Sequence, residues 1–196
     1  MTQPSAAPLV LAFGDSLTAG YGLRPAQAFP ARLETHLRER WSDARVLNAG
    51  VSGDTTGSAL RRLPGVLSRL ERRPDLAIVE LGANDLLRGL AAAQTRANLD
   101  AILRELRQCG IPVLLATFAV PPMLQALAGG YATIYADIAA AYGVPSWPFF
   151  PPGVLGHREM VLPDRIHPNA AAIERVASAM APEIIRLLTT RAVEAA

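Results

Sequence analysis

Five short apolar runs alternate along the chain with longer stretches in which apolar residues recur every three or four positions. Uniformly apolar, turn-bounded runs are typical of strands that are covered on both faces, and the three- to four-residue spacing is typical of amphipathic helices. The predicted strands are 9–13, 45–48, 76–81, 113–118 and 144–147, and the predicted helices are 29–41, 55–70, 92–109, 131–142 and 168–188. Pro64 and Gly65 are expected to kink or split the second of these helices.

The regular alternation of strand and helix predicts an α/β fold of three layers, α/β/α, around a five-stranded parallel sheet. The flavodoxin-like strand order 2-1-3-4-5 places strand 1 between strands 2 and 3. Ser16, Gly53 and Asn84 follow these three strands, so we expect them to meet at the carboxyl edge of the sheet, where open α/β sheets bind ligands. The length of 196 residues suits one well-buried core, and residues 1–196 are predicted to form a single domain.

Composition narrows the possible chemistry. All 19 basic residues are arginine, and the absence of lysine excludes Schiff-base and phosphate-loop lysine mechanisms. The net charge of +2 is small and scattered, so no nucleic-acid partner is expected. Cys109 is the only cysteine, which rules out an intramolecular disulfide, and it is predicted to be a small buried residue.

Residues 110–136 carry no charge, but prolines and glycines interrupt them, so we expect a strand and an apolar loop rather than an integral membrane segment. No basic stretch precedes the first apolar run, and that run is needed as the first strand. No signal peptide is therefore predicted, and a cytoplasmic location is expected. The location would instead be periplasmic or secreted if a leader had been removed and replaced by Met1.

Ser16 stands at a sharp transition from strand to helix, in the run Gly14-Asp15-Ser16-Leu17. At such a transition the hydroxyl and the neighbouring backbone amides point toward the same ligand. Taken alone, the run is more typical of an ordinary turn or helix cap than of a catalytic site. A serine becomes a nucleophile only beside a base, and the base needs a third group to orient it.

His167 is the candidate base among three histidines. Asp164 lies three positions before it, and the proline after it is predicted to begin the last helix with His167 as its cap. Positions three apart face the same side, so Asp164 can accept a hydrogen bond from Nδ1 and leave Nε2 for Ser16. No carboxylate is clearly placed to orient His36, for which a surface or half-buried role is expected, and His157 is not expected to be catalytic.

Two further residues are candidate donors to an oxyanion. The side-chain amide of Asn84 is a suitable donor, although a polar residue at a strand end is also typical of a simple turn. Gly53 lacks a side chain and can bring its backbone N–H near the same point.

Four segments together resemble the signature blocks of the SGNH (GDSL-type) hydrolase superfamily, in the right order and across nearly the whole chain. They are residues 13–17, 50–55, 81–85 and 164–167. The resemblance is closest to the bacterial multifunctional acyl-CoA thioesterase, lysophospholipase and arylesterase branch, and residues 18–22, 86–89 and 148–150 support it. Ala83 departs from that branch, which often has glycine there, and alanine would resist a positive φ before Asn84.

The resemblance implies a catalytic triad of Ser16, His167 and Asp164, with Gly53, Asn84 and the Ser16 amide as the oxyanion hole. It implies a serine esterase that hydrolyses carboxylic esters or thioesters, of aryl, acyl, lysophospholipid or acyl-CoA type, through an acyl-enzyme. No metal and no cofactor are implied. The alternatives are a carbohydrate acetylesterase or an acyltransferase with the same triad and, from another class, a non-catalytic anion-binding α/β domain.

The acyl group of the substrate is expected to lie between two apolar stretches, residues 119–130 and 147–155. The candidate substrate-binding residues are Val120, Met123, Leu124 and Phe150. The same stretches could instead be buried against the body of the protein.

Overall fold

The sheet of the computed structural model has five parallel strands in the order β2-β1-β3-β4-β5, which confirms the predicted order. The structure describes residues 7–118 and 129–194. The strands are β1 (Leu9–Gly14), β2 (Arg45–Gly50), β3 (Leu76–Glu80), β4 (Val113–Thr117) and β5 (Ser146–Pro148). Each predicted strand is found, with its ends shifted by at most two residues.

The α-helices of the described ranges alternate with these strands. They are α1 (Ser16–Ala19), α2 (Phe29–Arg38), α3 (Thr56–Leu67), α4 (Ala83–Leu87), α5 (Ala92–Gln108), α6 (Ile134–Tyr142) and α7 (Ala170–Glu194). The expected split at Pro64 does not occur, since α3 continues through it and ends within one turn. The two shortest helices, α1 and α4, were not predicted.

Both faces of the sheet are covered, as the apolar strands indicated. Successive residues of β1 point to opposite faces: Val10 and Ala12 pack against α2 and α7, whereas Leu11 and Phe13 pack against α3, α5 and α6. This places β1 between two apolar clusters and gives the three-layer α/β/α architecture.

The strand register brings the carboxyl ends of the neighbouring strands β2, β1 and β3 level with one another. Gly14, the last residue of β1, pairs with Gly50 of β2 and Glu80 of β3. A Cβ atom at Gly14 would lie 2.1 Å from the Thr18 hydroxyl and 2.6 Å from the Glu80 carbonyl oxygen. Only glycine fits there, and its absent side chain lets the turn after β1 fold back against the end of β3.

The end of α5 corrects the expectation for Cys109, which is exposed rather than buried. Gly110 follows it with φ of +66°. The Gly110 N–H donates to the Arg107 carbonyl oxygen and the Ile111 N–H to that of Leu106, each at 2.9 Å, in a Schellman motif. The chain reverses there, and Ile111 takes the buried position.

None of the helices within the described ranges combines the length and the apolar character needed to cross a membrane. The same ranges hold no group of three or more His, Cys, Asp or Glu side chains arranged to bind a metal ion.

Candidate active site

The turn after β1 presents Ser16 as the first residue of α1. Asp15 caps this helix, because its Oδ1 accepts a hydrogen bond from the Leu17 N–H at 3.0 Å. Gly20 ends the helix after one turn with φ of +83°, and its N–H donates to the Ser16 carbonyl oxygen at 3.1 Å. The Ser16 side chain is thereby held at the carboxyl edge of the sheet.

A short loop before α7 carries the candidate base and its partner carboxylate. The loop is closed at its ends by an antiparallel bridge between Val161 and Pro168. Inside it, Asp164 Oδ1 accepts hydrogen bonds from the backbone N–H groups of Ile166 at 2.9 Å and His167 at 3.0 Å. These bonds fix the carboxylate beside the imidazole ring.

The expected start of the last helix at Pro168 is wrong. Helix α7 begins at Ala170, and Asn169 Oδ1 accepts a hydrogen bond from the Ala172 N–H at 3.1 Å. Asn169 is therefore the residue that caps the helix. Pro168 belongs to the bridge that closes the loop, so His167 lies within the loop instead of capping a helix.

The loop and the turn bring Ser16, His167 and Asp164 together. His167 Nε2 lies 3.1 Å from Ser16 Oγ, and His167 Nδ1 lies 2.7 Å from Asp164 Oδ2. Hydrogen bonds from the Ile166 backbone N–H, the His167 side chain and the His167 backbone N–H lower the pKa of Asp164 to about 2. The ionised carboxylate favours the tautomer with the proton on Nδ1, which leaves Nε2 free to accept the serine proton.

Tyr21 is part of this site, and the sequence interpretation missed it. Its ring lies 4.3 Å from the His167 ring, centroid to centroid, with 32° between the planes. Its backbone N–H donates to the Ser16 carbonyl oxygen at 3.1 Å. Next to it, a Cβ atom on Gly22 would lie 2.7 Å from Leu162 of the histidine loop. The Gly20-Tyr21-Gly22 sequence was the available signal, since two glycines around an aromatic residue favour a tight turn.

Gly53 lies at the same edge, with φ of +82° in the turn after β2. The Arg88 guanidinium donates to its carbonyl oxygen at 2.8 Å and ties this turn to the end of α4. Within residues 7–118 and 129–194, neither the Ser16 N–H nor the Gly53 N–H meets a hydrogen-bond acceptor. Both donors are available to a ligand.

The Asn84 amide is held in place by two acceptors. Its Nδ2 donates to Asp15 Oδ2 at 3.0 Å and to the Asp54 carbonyl oxygen at 2.9 Å. An oxyanion could use this donor only by sharing or replacing one of these acceptors. The positive φ before Asn84 falls on Gly82, at +115°, and Ala83 is the first residue of α4, so the alanine causes no backbone strain.

Two buried carboxyl groups lie behind the serine turn, and the sequence interpretation gave neither of them a role. Asp15 is 1% exposed and Glu80 is 3% exposed. Burial raises the pKa of Asp15 to about 6, although hydrogen bonds from Leu17 and Glu80 oppose this shift. Burial and the neighbouring Asp15 charge raise the pKa of Glu80 well above its usual range.

Of the candidate substrate-binding residues, Val120, Met123 and Leu124 lie outside the described residues. Phe150 is half-buried and packs edge-on against Phe149, with 5.1 Å between the ring centroids. This contact joins Phe150 to the core cluster beneath β5. A role for Phe150 in substrate binding stays a prediction.

The turns around Ser16 expose large apolar side chains. Tyr21 follows α1, Val51 follows β2, and Ile166 precedes His167, with exposed fractions of 50%, 44% and 66%. Leu87 and Leu90, at and after the end of α4, are exposed as well. We call these five residues the apolar rim. An apolar rim at a site of this kind favours a ligand with an apolar part.

The chain is similar to known proteins in both sequence and fold. Residues 12–175 match the model of the GDSL-like Lipase/Acylhydrolase family. The chain is 38% identical to Esterase TesA of Pseudomonas aeruginosa over 96% of this chain and 93% of that protein. It is 35% identical to Thioesterase 1/protease 1/lysophospholipase L1 of Escherichia coli (strain K12), over 93% of this chain and 86% of that protein. The crystal structure of AlinE4, an SGNH-hydrolase family esterase, superposes with a TM-score of 0.77 at 43% identity, covering 93% of this chain and 97% of that one.

Proposed function

Because the chain belongs to the GDSL-like lipase/acylhydrolase family and is a serine ester hydrolase, we propose that it cleaves apolar esters or thioesters through an acyl-enzyme on Ser16. One observation carries the proposal: the chain of contacts from Ser16 Oγ to His167 Nε2 at 3.1 Å, and from His167 Nδ1 to Asp164 Oδ2 at 2.7 Å. These are the distances that a nucleophile, its base and the group orienting that base require.

In the first half of the reaction, Ser16 Oγ attacks the carbonyl carbon while His167 Nε2 takes the hydroxyl proton. The carbonyl π electrons move to oxygen and give a tetrahedral oxyanion. When this intermediate collapses, the C–O or C–S bond to the leaving group breaks. The imidazolium returns its proton to the departing alcohol or thiol, and the acyl group stays on Ser16.

In the second half, water takes the place of the serine hydroxyl. His167 Nε2 accepts a proton from the water as its oxygen attacks the acyl carbon. The second tetrahedral intermediate releases the carboxylic acid and returns the proton to Ser16 Oγ. Asp164 stays ionised throughout and stabilises the imidazolium that forms in each half.

The Ser16 and Gly53 N–H groups and the Asn84 amide are the proposed donors to the oxyanion. We expect Asn84→Ala to lower kcat by about 100- to 1,000-fold with a smaller change in KM, because the lost donor acts chiefly in the transition state. Asn48→Ala is the matched control, since Asn48 is an exposed asparagine whose Nδ2 donates to the Ala19 carbonyl oxygen. Steady-state kinetics of the two variants test the role, and an Asn84→Ala kcat within about threefold of the wild type would contradict it.

Labelling with a fluorophosphonate probe tests the nucleophile directly. The probe phosphonylates an activated serine, so we expect labelling of the wild type and none of Ser16→Ala. Ser178→Ala is the control, because Ser178 is exposed on α7 and its hydroxyl donates only to the Arg175 carbonyl oxygen. Equal labelling of wild type and Ser16→Ala, or no labelling of either, would remove Ser16 from this role.

The apolar rim favours aryl or longer acyl esters over acetylated carbohydrates, which need a polar groove. A series of p-nitrophenyl esters from acetate to palmitate, together with one acyl-CoA, measures the preference. We expect kcat/KM to rise with chain length beyond acetate. Activity confined to acetyl groups would favour a carbohydrate acetylesterase instead.

A further inference from the structure

Glu80 ends β3 directly behind the serine turn, and its carboxyl group faces that of Asp15. Glu80 Oε2 accepts a hydrogen bond from the Thr18 hydroxyl at 2.9 Å and lies 3.4 Å from the Asp15 backbone nitrogen. The two carboxyl groups lie close enough that the charge of Asp15 acts on Glu80 and raises its pKa. Both residues are almost completely buried, so water cannot screen them.

No cation among the described residues forms an ion pair with either carboxyl group. The Arg62 guanidinium comes near, but it donates to the Gly14 carbonyl oxygen at 3.0 Å and pairs with Asp54. The titratable groups that interact with the pair are Tyr135 of α6, on which both carboxyl groups act, and His167, whose charge acts on Asp15. Two buried carboxylates in contact repel each other strongly, so one of them holds a proton.

The hydrogen-bond donors around the pair indicate which group that is. Asp15 accepts hydrogen bonds from the Leu17 N–H and from Asn84 Nδ2, each at 3.0 Å, and these favour its ionised form. Glu80 accepts one short bond, from the Thr18 hydroxyl at 2.9 Å, and one long bond, from the Asp15 backbone N–H at 3.4 Å. Burial and the Asp15 charge raise the pKa of Glu80, and this direction agrees with a neutral carboxylic acid.

We propose that Glu80 is a positioning residue of this hydrolase, which as a neutral acid donates a hydrogen bond to Asp15 and so fixes the carboxylate that holds Asn84 beside Ser16. The proposal rests on the proposed function of Ser16 and Asn84. Ionisation of Glu80 would place a second negative charge against Asp15 and push the two carboxylates apart. The Asn84 amide would then lose one of its two acceptors, and the oxyanion hole would lose its geometry.

Two substitutions separate the hydrogen bond from the bulk of the side chain. Glu80→Ala removes the donor, and we expect kcat to fall about 10- to 100-fold with a smaller change in KM, because a catalytic group is displaced. Glu80→Gln keeps an N–H donor and is neutral at every pH, so it should recover most of this loss. It should also remove the alkaline fall in kcat that ionisation of Glu80 causes in the wild type. Equal losses of kcat in both variants would overturn the proposal. The same fall in kcat at alkaline pH in the wild type and in Glu80→Gln would also overturn it.

The proton itself can be observed without any ester hydrolysis. The infrared spectrum of the wild type at neutral pH should contain the C=O stretch of a protonated carboxylic acid, and Glu80→Gln should lack it. Glu71→Gln is the control, because the Glu71 side chain is 91% exposed, and it should keep the band. Absence of the band from the wild type would show that Glu80 is ionised and would overturn the proposal, while leaving the Ser16 labelling result intact.

Thermal unfolding gives a second readout that is independent of activity. The folded pKa of Glu80 lies above its ordinary value of 4.5, so the folded chain binds this proton more tightly than the unfolded chain. Between the two pKa values, rising pH therefore destabilises the wild type but not Glu80→Gln. We expect the Tm of Glu80→Gln to increase relative to that of the wild type as pH rises above about 4.5. A difference in Tm that does not change with pH would contradict the proposal.

Discussion

His167 and His36 each contact a carboxylate, but only His167 lies beside a hydroxyl group. His36 Nε2 lies 2.9 Å from Glu174 Oε1, at the packing of α2 against α7. His167 Nδ1 lies 2.7 Å from Asp164 Oδ2, and its other ring nitrogen reaches Ser16. The rings are similarly accessible, since the two side chains are 22% and 21% exposed. Exposure of the histidine therefore does not distinguish the two sites.

The partners of the two carboxylates do distinguish them. Glu174 is paired with the Arg32 guanidinium, which is the main reason that its pKa is lowered, and the hydrogen bond from His36 contributes less. Asp164 has no arginine partner among the described residues, and backbone N–H groups and His167 lower its pKa to about 2. A histidine–carboxylate pair can thus simply join two helices. The neighbouring Ser16 hydroxyl and the N–H groups at the sheet edge are what make the other pair a candidate for catalysis.

The largest expected effect that separates the two sites is that of His167→Ala. Without the base the serine proton has no acceptor, and we expect kcat to fall by about 10⁴- to 10⁶-fold. Hydrolysis of a p-nitrophenyl ester at neutral pH measures it, with the same protein checked for folding by circular dichroism. A folded variant that retained a tenth of the wild-type kcat would show that His167 is not the base.

The next effect is that of Asp164→Asn, for which we expect kcat to fall by about 10⁴-fold. The amide keeps the shape of the carboxylate, but it can donate to Nδ1 and hold the proton on Nε2, where it blocks acceptance of the serine proton. A pH–rate profile of the wild type gives a further check. Asp164 has a pKa of about 2 and stays ionised well below neutral pH, so its protonation should lower kcat/KM only in strongly acidic solution. A loss smaller than tenfold in Asp164→Asn would contradict the orienting role.

The stability contributed by Asp164 has a defined direction with pH. Its folded pKa is lower than its ordinary value of 3.8, so its contribution is complete above that value and is lost as pH falls toward about 2. Thermal unfolding of the wild type and Asp164→Asn between these limits measures it. Their Tm values should converge as the solution becomes more acidic.

The smallest effect is that of His36→Ala, the same substitution at the other pair. We expect kcat to stay within about twofold of the wild type and the free energy of unfolding to fall by less than about 1 kcal/mol, because partly exposed ion pairs contribute little. Urea unfolding and steady-state kinetics measure the two quantities. A large loss of kcat with little loss of stability would remove the distinction between the two sites.

Much of the fold could be predicted from the sequence, because each buried strand is a continuous apolar run. The helices α1 and α4 could not, since four or five residues are too few to show a helical period. The start of α7 was also missed. Proline is favoured at the first helical position, but Pro168 forms a β-bridge with Val161 instead. This pairing depends on the tertiary structure, so the local sequence does not indicate it.

The candidate site was predictable where its residues follow strand ends, as Ser16 and Asn84 do. The side-chain partners of these residues were not. Glu80 contacts Thr18 across 62 positions, and Glu174 contacts His36 across 138. Such pairs arise when elements far apart in sequence pack together, and no local pattern encodes them.

The contact between Ser16 and His167 spans 151 positions. As a ribosome makes the chain, the serine turn emerges early, whereas His167, the proposed base, is synthesised only with the segment before α7. A growing chain therefore cannot bring the proposed triad together until all five strands have been synthesised, and long-range contacts of this kind form late in folding. During refolding, we expect esterase activity to appear only after the segment before α7 has packed against the turn after β1. The rate at which activity returns would then measure this late folding step.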